Sequence, residues 1–319
     1  MLNDHEPPFQ APGPFRPLLM LLIGAVMISF SSVYVKIAHV SPSVSAFYRV
    51  FFGALVLMGM AVFRQRFRWR GRRYLMLAAV CSGSFALDLF LWHRSIHFVG
   101  PGLATLLANF QVFILAAIGI VVLKEPFRWR IAVAIPMAFC GLVLIVGIDW
   151  GQLGAAYRLG VVFGLLAALC YSVYLISLKR IQSLPAGLPP LENLAVVSLM
   201  AAGWLAVDIW YSGESFHIPD TTSTLALLAY GVFSQVAGWV IIASALPRVR
   251  ASFAGLALLL QPTLAYVWDV LFFHRAVSLL NLAGVALAIC GIYLGTSSAA
   301  AQKPLPVDAD AAGPFSRRF

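Results

Sequence analysis

Long apolar runs separated by short charged or proline-rich stretches restrict what this chain can fold into. A helix needs about 20 apolar residues to cross a bilayer. Ten runs of roughly that length occur, with predicted bounds 18–38, 44–63, 74–93, 101–123, 131–148, 159–178, 191–211, 224–246, 251–273 and 279–297. Because a lipid-exposed segment must pair its own backbone groups, these runs predict helices. We therefore expect an all-α integral membrane protein with ten transmembrane helices.

The composition favours a membrane protein over a soluble one. Of the 319 residues, 61% are hydrophobic and 11% are charged, whereas soluble domains carry about 25% charged residues. The net charge of +10 does not indicate nucleic-acid binding, because the basic residues cluster between apolar runs as loop charges of membrane proteins do. The four cysteines all fall within apolar runs, so we expect no disulfide framework.

The distribution of positive charge predicts the orientation in the membrane. If the N-terminus is cytoplasmic, most of the 22 Lys and Arg residues fall in cytoplasmic segments, and the densest group is Arg64–Arg73. Cytoplasmic loops carry an excess of Lys and Arg, so both termini are predicted to be cytoplasmic. The Arg64–Arg73 run is expected to contact the anionic headgroups of membrane lipids.

The two halves of the chain form an internal repeat. A shift of 150 positions places Ser84 on Ser234, Gln111 on Gln261 and Cys140-Gly141 on Cys290-Gly291. Five spans per repeat is an odd number, so the second copy must enter the membrane upside down. In agreement, the arginine-rich loop 64–73 corresponds to loop 212–223, which has no Lys or Arg.

The repeat defines the predicted domain organisation. Two inverted five-helix repeats span residues 18–148 and 159–297. They lie between a cytoplasmic N-terminal tail, 1–17, and a C-terminal tail, 298–319, whose low apolar content predicts a disordered cytoplasmic segment.

Inverted repeats are typical of secondary transporters, in which two halves enclose a site near the membrane midplane. A phosphate-binding loop G-x-x-x-x-G-K-[ST] is absent from the sequence, which disfavours an ATP-driven pump. The first alternative is an intramembrane enzyme acting on lipid-linked substrates, which would need paired acidic or His-rich metal sites. The second is a non-transporting sensor, for which an inverted repeat has no obvious purpose. We expect a transporter, not an enzyme, with no cofactor and no metal.

Several segments, in this order and spacing, resemble a known family. They are SAFYRV, which contains Arg49; GLATLLANFQVF at 102–113; VLKEPFRWRIAVAIPMAFCGLVLIVG at 122–147; LALLLQPTLAYV at 256–267; and NLAGVALAICGIYLG at 281–295. Over residues 18–297 the chain resembles the ten-span EamA-type members of the drug/metabolite transporter superfamily. The resemblance implies a bacterial inner-membrane carrier that moves small metabolites, often outward.

The chain departs from the family pattern at two places. The family commonly has Glu at the ends of both the fourth and the ninth spans, whereas here Glu125 is matched by Arg275. The family's proline is missing from the fourth span, while the ninth span keeps Pro262. These departures argue against a coupling scheme that requires both glutamates.

Asp88 is the leading candidate for contact with substrate or a coupling proton. It lies in the outer half of the third span, and Ser84 and Trp92 share its helix face at i ± 4 spacing. A charge at the bilayer centre costs at least about 2.5–3.5 kcal/mol on insertion scales, so it should face the bundle interior or a water-filled cavity. Lys36 and Arg49 lie at similar depth. Asp88 therefore either binds the cationic part of a substrate or a proton, or forms a fixed ion pair with Lys36 or Arg49.

Amide side chains in the fourth and ninth spans complete the predicted pathway for substrate or coupling ion. Asn109, Gln111 and Gln261 either hydrogen-bond the substrate near the pseudo-twofold axis or hold helices together. Pro262 is a hinge candidate, because proline frees a backbone carbonyl in a membrane helix; the alternative is an ordinary packed kink. These polar groups suit a small polar or zwitterionic metabolite without selecting one.

Overall fold

The computed structural model describes residues 15–63, 71–126, 128–146, 154–184, 189–274 and 278–300, and these residues form helices and no strand. The helices are α1 (Phe15–Ser29), α2 (Ser31–Ile37), α3 (Pro42–Phe63), α4 (Gly71–Ala108), α5 (Gln111–Val121), α6 (Trp129–Val146), α7 (Ala155–Gln182), α8 (Pro190–Ser212), α9 (Thr221–Ala229), α10 (Trp239–Ala245), α11 (Ala251–Leu258), α12 (Leu260–Phe273) and α13 (Leu279–Ala300). A π-helical segment, Tyr230–Gly238, joins α9 to α10, and a 3₁₀ turn, Leu246–Arg248, follows α10.

The length and polarity of these helices confirm an all-α membrane protein. Seven apolar helical stretches within the described residues are long enough to cross a bilayer, and three shorter ones are Gln111–Val121, Trp129–Leu144 and Leu279–Gly295. Large apolar side chains such as Phe63 and Trp210 are exposed on the outside of the bundle, as a lipid-facing surface requires. That each of the ten stretches spans the membrane stays a prediction.

One predicted boundary is wrong. The predicted bounds 74–93 and 101–123 place a break before the fourth span, at Gly100-Pro101, but α4 continues without interruption from Gly71 to Ala108. A proline removes one backbone donor and can bend a helix without ending it. The interruption instead falls at residues 109–110.

The crossing of α6 and α13 shows how the two repeats are related. A Cβ atom on Gly141 would lie 2.4 Å from the backbone nitrogen of Ala288, and one on Gly291 would lie 2.6 Å from that of Ala138. These contacts are reciprocal under the 150-residue shift, so a twofold axis passes through the crossing. Farther along the same pair, Asn281 Nδ2 donates to the carbonyl oxygen of Leu144 at 3.3 Å.

The order of these contacts makes the two helices antiparallel. Along α6, Ala134, Gly141 and Leu144 meet α13 at progressively earlier positions, from Gly291 to Asn281. A twofold axis that relates antiparallel helices runs across them, not along them. The repeats are therefore inverted, as the odd number of spans predicts.

Helices of the first repeat pack mainly on helices of the second. The contacting pairs are α1 with α10, α3 with α8 and α4 with α7. The rings of Phe85 and Tyr174 stack at 4.4 Å between their centroids, and Trp239 packs edge-on against Tyr174 at 5.0 Å. The apolar core thus lies between the repeats, and the space that surrounds it is where a transport site is expected.

Candidate functional site

A cavity of about 330 Å³ lies between the two repeats. Its walls come from α1 to α5, α7, the π-helical segment and α10 to α12. Exposed Lys36 and Pro42 lie at the end where α2 finishes and α3 begins, and buried Phe85, Trp239 and Leu258 lie at the other end. Among the described residues, the cavity is therefore open at the end near Lys36 and Pro42, which is the side predicted to be outside the cell, and buried side chains close the other end.

Interrupted helices position much of the cavity wall. α1 gives way to α2 at Phe30, α4 to α5 at residues 109–110, and α11 to α12 at Leu259. At the second and third interruptions, backbone nitrogens bond the carbonyl three residues earlier, as in Phe110 to Leu107 and Leu259 to Leu256. Transporter sites are often built on discontinuous helices of this kind.

Pro262 does not by itself explain the interruption in the ninth span. The break at Leu259 lies three residues before Pro262, and the equivalent break at Asn109 occurs in a repeat that has Val112 in place of the proline. The two breaks are equivalent under the 150-residue shift. They are therefore a property of the repeat and do not depend on Pro262. Its role as a hinge stays a prediction.

Asp88 lies in the cavity wall with 8% of its surface exposed. Among the described residues, none forms an ion pair or a side-chain hydrogen bond with its carboxylate. Lys36 Nζ instead lies over the ring of Phe273, 4.5 Å from its centroid, and Arg49 bonds other groups. The fixed ion pair of Asp88 with Lys36 or Arg49 is therefore not present in this structure.

Arg49 is 7% exposed and is held by residues of the π-helical segment. Its Nε donates to Gln235 Oε1 and its Nη1 to the hydroxyl of Tyr230, both at 3.1 Å. Gln235 Nε2 in turn donates to Ser198 Oγ at 2.9 Å. The guanidinium also lies over the rings of Tyr230 and Phe85, at 5.0 and 5.6 Å from their centroids. The cation is thus fixed in place beside the cavity.

Other polar groups of the cavity wall lack partners within the described part of the protein. Gln111 is 1% exposed, and neither its amide nitrogen nor its amide oxygen is hydrogen-bonded; Gln261 Nε2 and Trp239 Nε1 are likewise unpaired. Asn109 differs, because its Nδ2 donates to the carbonyl of Thr105 at 2.7 Å. A buried polar group without a partner costs about 1–3 kcal/mol. These donors and acceptors are therefore available to a ligand that enters the cavity.

The structure brings together all but one of the predicted pathway residues. Those that line the cavity are Lys36, Arg49, Asp88, Trp92, Asn109, Gln111, Gln261 and Pro262. Ser84 does not line it: its Oγ donates to the carbonyl of Val80 at 2.7 Å, one turn back in α4. At that level of α4 the cavity wall is formed by the neighbouring Phe85. Ser84 is therefore set apart from the cavity in this structure, and its place in the pathway stays a prediction.

Sequence reasoning missed His93 and the aromatic wall, which includes Tyr171, Tyr230 and Trp239. Aromatic residues occur throughout these spans, so position in a run does not separate lining residues from packed ones. The π-helical segment was also missed. Segments of this kind are frequent at functional sites, but neither their hydropathy nor their residue types distinguish them from an α-helix.

Some predictions fall outside the described residues. These are residues 64–70 of the arginine run and all of both tails except residues 15–17 and 298–300. Arg72 and Arg73 are described and are exposed at the start of α4. The predicted lipid contact of the run is not tested.

The fold and the cavity define the class of protein: an α-helical membrane protein whose two inverted repeats enclose a central cavity with a mainly apolar wall and a few polar groups. The sequence model of the EamA-like transporter family matches residues 15–147 and 158–297. The chain belongs to this family, a group within the drug/metabolite transporter superfamily.

Comparison with other proteins supports the fold. One solved structure, described only as the crystal structure of a protein, matches with a TM-score of 0.75 at 18% identity, over 89% of this chain and 98% of the other. This likeness concerns the fold alone. No curated protein matches the chain.

Proposed function

We propose that this protein is a secondary active transporter that exports a small polar metabolite across the bacterial inner membrane by alternating access between its inverted repeats. The observation that carries this proposal is the cavity between the repeats, where a carboxylate and several amide groups have no partner among the described residues. A purely structural interface would be expected to satisfy such buried groups, because each unpaired group costs stability. A binding site leaves them for the ligand.

The cavity chemistry indicates what the ligand carries. The Asp88 carboxylate calls for a cationic group, since a buried anion without a partner is costly. Gln111, Gln261 and Trp239 offer donors and acceptors for polar atoms, and Tyr171 offers an apolar face. A volume of about 330 Å³ is near the lower limit for small-molecule sites. We propose a compact metabolite with a protonated amine and a second polar group.

The experiment that tests this proposal compares transport by Asp88→Asn and by Asp208→Asn in proteoliposomes. Asp208 is a matched control because it is also helical and acidic but lies away from the cavity, with its Oδ1 at 3.6 Å from Arg94 Nη2. We expect Asp88→Asn to lower transport at least tenfold without loss of folded protein, and Asp208→Asn to retain it. The substrate comes from a metabolite-accumulation screen of cells with and without the protein. Unchanged transport by Asp88→Asn would refute the role of Asp88.

We propose in addition that anionic lipid contacts the predicted cytoplasmic end of the bundle, where both termini are expected. There Arg73 and Arg180 border a groove of about 340 Å³ whose remaining wall is apolar, formed by Met76, Leu77, Val80 and Leu184. Arginine at headgroup depth above an apolar surface matches the charge and shape of an anionic phospholipid.

A lipid titration tests the groove. Phosphatidylglycerol should raise the Tm of the detergent-solubilised parent protein, and this rise should be lost in Arg73→Gln/Arg180→Gln. The matched control is Arg72→Gln/Arg248→Gln, which removes the same charge at the same end of the bundle from residues that do not line the groove. An equal loss in both double variants would show a general charge effect and no specific site.

A further inference from the structure

The two repeats are joined at the end of the bundle opposite the cavity opening. Glu125 follows α5 in the first repeat, and its Oε1 accepts a hydrogen bond from the backbone N–H of Ala251, the first residue of α11 in the second repeat, at 2.8 Å. Nearby, Lys179 Nζ donates to the carbonyl of Val249 at 2.6 Å. A charged acceptor makes the first bond roughly twice as strong as a neutral one.

Behind this hydrogen bond, α5 and α11 pack closely. A Cβ atom on Gly255 would lie 3.3 Å from atoms of both Val112 and Leu115. All three residues are on the predicted cytoplasmic side of the cavity floor. This contact closes the path between the cavity and that side of the membrane.

The equivalent contact at the other end of the bundle is open. Under the 150-residue shift, Gly255 corresponds to Thr105, Val112 to Pro262 and Leu115 to Ala265. Thr105, Pro262 and Ala265 all line the cavity. The two equivalent helix pairs therefore differ: α5 and α11 pack together at one end, whereas α4 and α12 are separated by the cavity at the other. The structure is thus the outward-facing state.

The hydrogen bond that secures the closed end cannot form at the open end. The position equivalent to Glu125 is Arg275, a residue type whose side chain donates hydrogen bonds and cannot accept them. The position equivalent to Ala251 is Pro101, and proline has no backbone N–H. Both partners are therefore missing from the second site. Closing the outer side during transport gains no such bond.

We infer that Glu125 is a positioning residue whose hydrogen bond to Ala251 holds the predicted cytoplasmic side closed and makes the outward-facing state the resting state. This inference rests on the proposed transport function, because it assigns the bond to one step of alternating access. In the inward-facing state the bond breaks and Thr105 packs against Pro262 and Ala265.

Replacement of Ala251 by proline tests the inference with little disturbance of the fold. Proline is favoured at the first position of a helix, where its missing N–H costs no helical bond. The preceding residue must be extended, and Arg250 has φ −64° and ψ 150°. Ala251→Pro thus removes the donor to Glu125 and gives this site the residue type found at Pro101. Ala251→Gly keeps the N–H and is the matched control.

Two cysteine reporters, Val112→Cys and Ala265→Cys, measure which side is open in substrate-free proteoliposomes. The parent protein, with its four native cysteines, serves as the labelling blank. A membrane-impermeant maleimide should label Ala265→Cys from the predicted outer side and Val112→Cys slowly from the other. With Ala251→Pro, we expect labelling of Val112→Cys to rise about tenfold and labelling of Ala265→Cys to fall, whereas Ala251→Gly changes neither. Unchanged labelling with Ala251→Pro would overturn the inference.

Glu125→Ala provides a second, independent route should Ala251→Pro fold poorly. It should shift the labelling in the same direction, and the double variant should shift it by less than the sum of the two single variants, because both break the hydrogen bond between Glu125 and Ala251. Additive effects would overturn the pairing. The labelling needs no substrate, so a shift in a protein that transports nothing would refute the proposed function alone, and transport without a shift would refute this inference alone.

Discussion

Replacement of Gly141 by alanine tests the crossing of α6 and α13, the contact that defines the inverted architecture. The added Cβ would lie 2.4 Å from the backbone nitrogen of Ala288 and 2.6 Å from the carbonyl oxygen of Gly284. Neither atom belongs to a side chain that could rotate away, so the helices must separate. Overpacking of this kind typically costs about 1–3 kcal/mol, and backbone contacts on both sides favour the upper part of that range.

A matched control separates this cost from the helix propensity of alanine. Gly203 lies inside α8, and a Cβ added there would meet nothing within 4 Å. Alanine is favoured over glycine in a helix by about 1 kcal/mol at both sites. We therefore expect Gly141→Ala to be about 2–3 kcal/mol less stable than Gly203→Ala. With an unfolding entropy of about 2.1 cal/mol/K per residue, this difference corresponds to about 3–5 °C in Tm.

The assay is thermal unfolding in detergent, followed by tryptophan fluorescence. Gly291→Ala should behave like Gly141→Ala, because its Cβ would lie 2.6 Å from the backbone nitrogen of Ala138 across the same axis. The double variant should lose less than the sum of the two, since helices already pushed apart accommodate the second methyl group more easily. Equal stability of Gly141→Ala and Gly203→Ala would refute the crossing and the twofold relation derived from it.

Two further predictions concern polar groups. Gln111→Leu should reduce transport at least tenfold while leaving the Tm of the substrate-free protein equal or higher. The reason is that it removes an amide that has no partner in the described structure. A fall in Tm would instead show that the amide holds helices together. At Asp220, the hydrogen bond from the backbone N–H of Ser223, followed by the bond to His39, lowers the pKa of the carboxyl group. A group with a lowered folded pKa stabilises the protein above its unfolded pKa of about 3.9, and that stabilisation disappears as pH falls through the folded value. Asp220→Asn should therefore lower the Tm at pH 7, and the difference from the parent should shrink as the pH falls below the unfolded pKa of about 3.9. A difference independent of pH would refute the assignment.

The architecture could be predicted from the sequence because its signals are long or repeated. Apolar runs of about 20 residues identify membrane helices, and the match of Cys140-Gly141 with Cys290-Gly291 marks the two glycines that meet the opposite helix at the crossing. The helix ends were less predictable. Gly100-Pro101 has the residue types that often end a helix, yet the interruption lies at Asn109, where the residue types do not predict a helix end.

The cavity residues were predictable where burial of the side chain is costly. Asp88, Arg49 and Gln111 stand out in apolar runs because a polar group there needs a partner or a ligand. Tyr171 and Trp239 do not stand out, since aromatic side chains pack as readily as they line a site. Ser84 differs, because its hydroxyl donates to a carbonyl of its own helix, so a buried serine needs neither a partner on another helix nor a cavity.

The similarities between the two repeats determine the fold, whereas the positions at which they differ include the residues proposed to act in transport. Asp88 corresponds to Gly238, and a Cβ atom at Gly238 would lie 2.7 Å from the side chain of Ile28, so the second repeat has no room for a matching carboxylate. Under the proposed function, a single acidic group in a twofold framework would orient the ligand in one way. Glu125 and Ala251 likewise have no equivalent pair in the sequence, and we infer from this that the two ends of the bundle differ in how firmly they close. In a symmetric environment, two identical repeats would give the inward-facing and outward-facing states equal free energies. The sequence differences between the two repeats remove that equality.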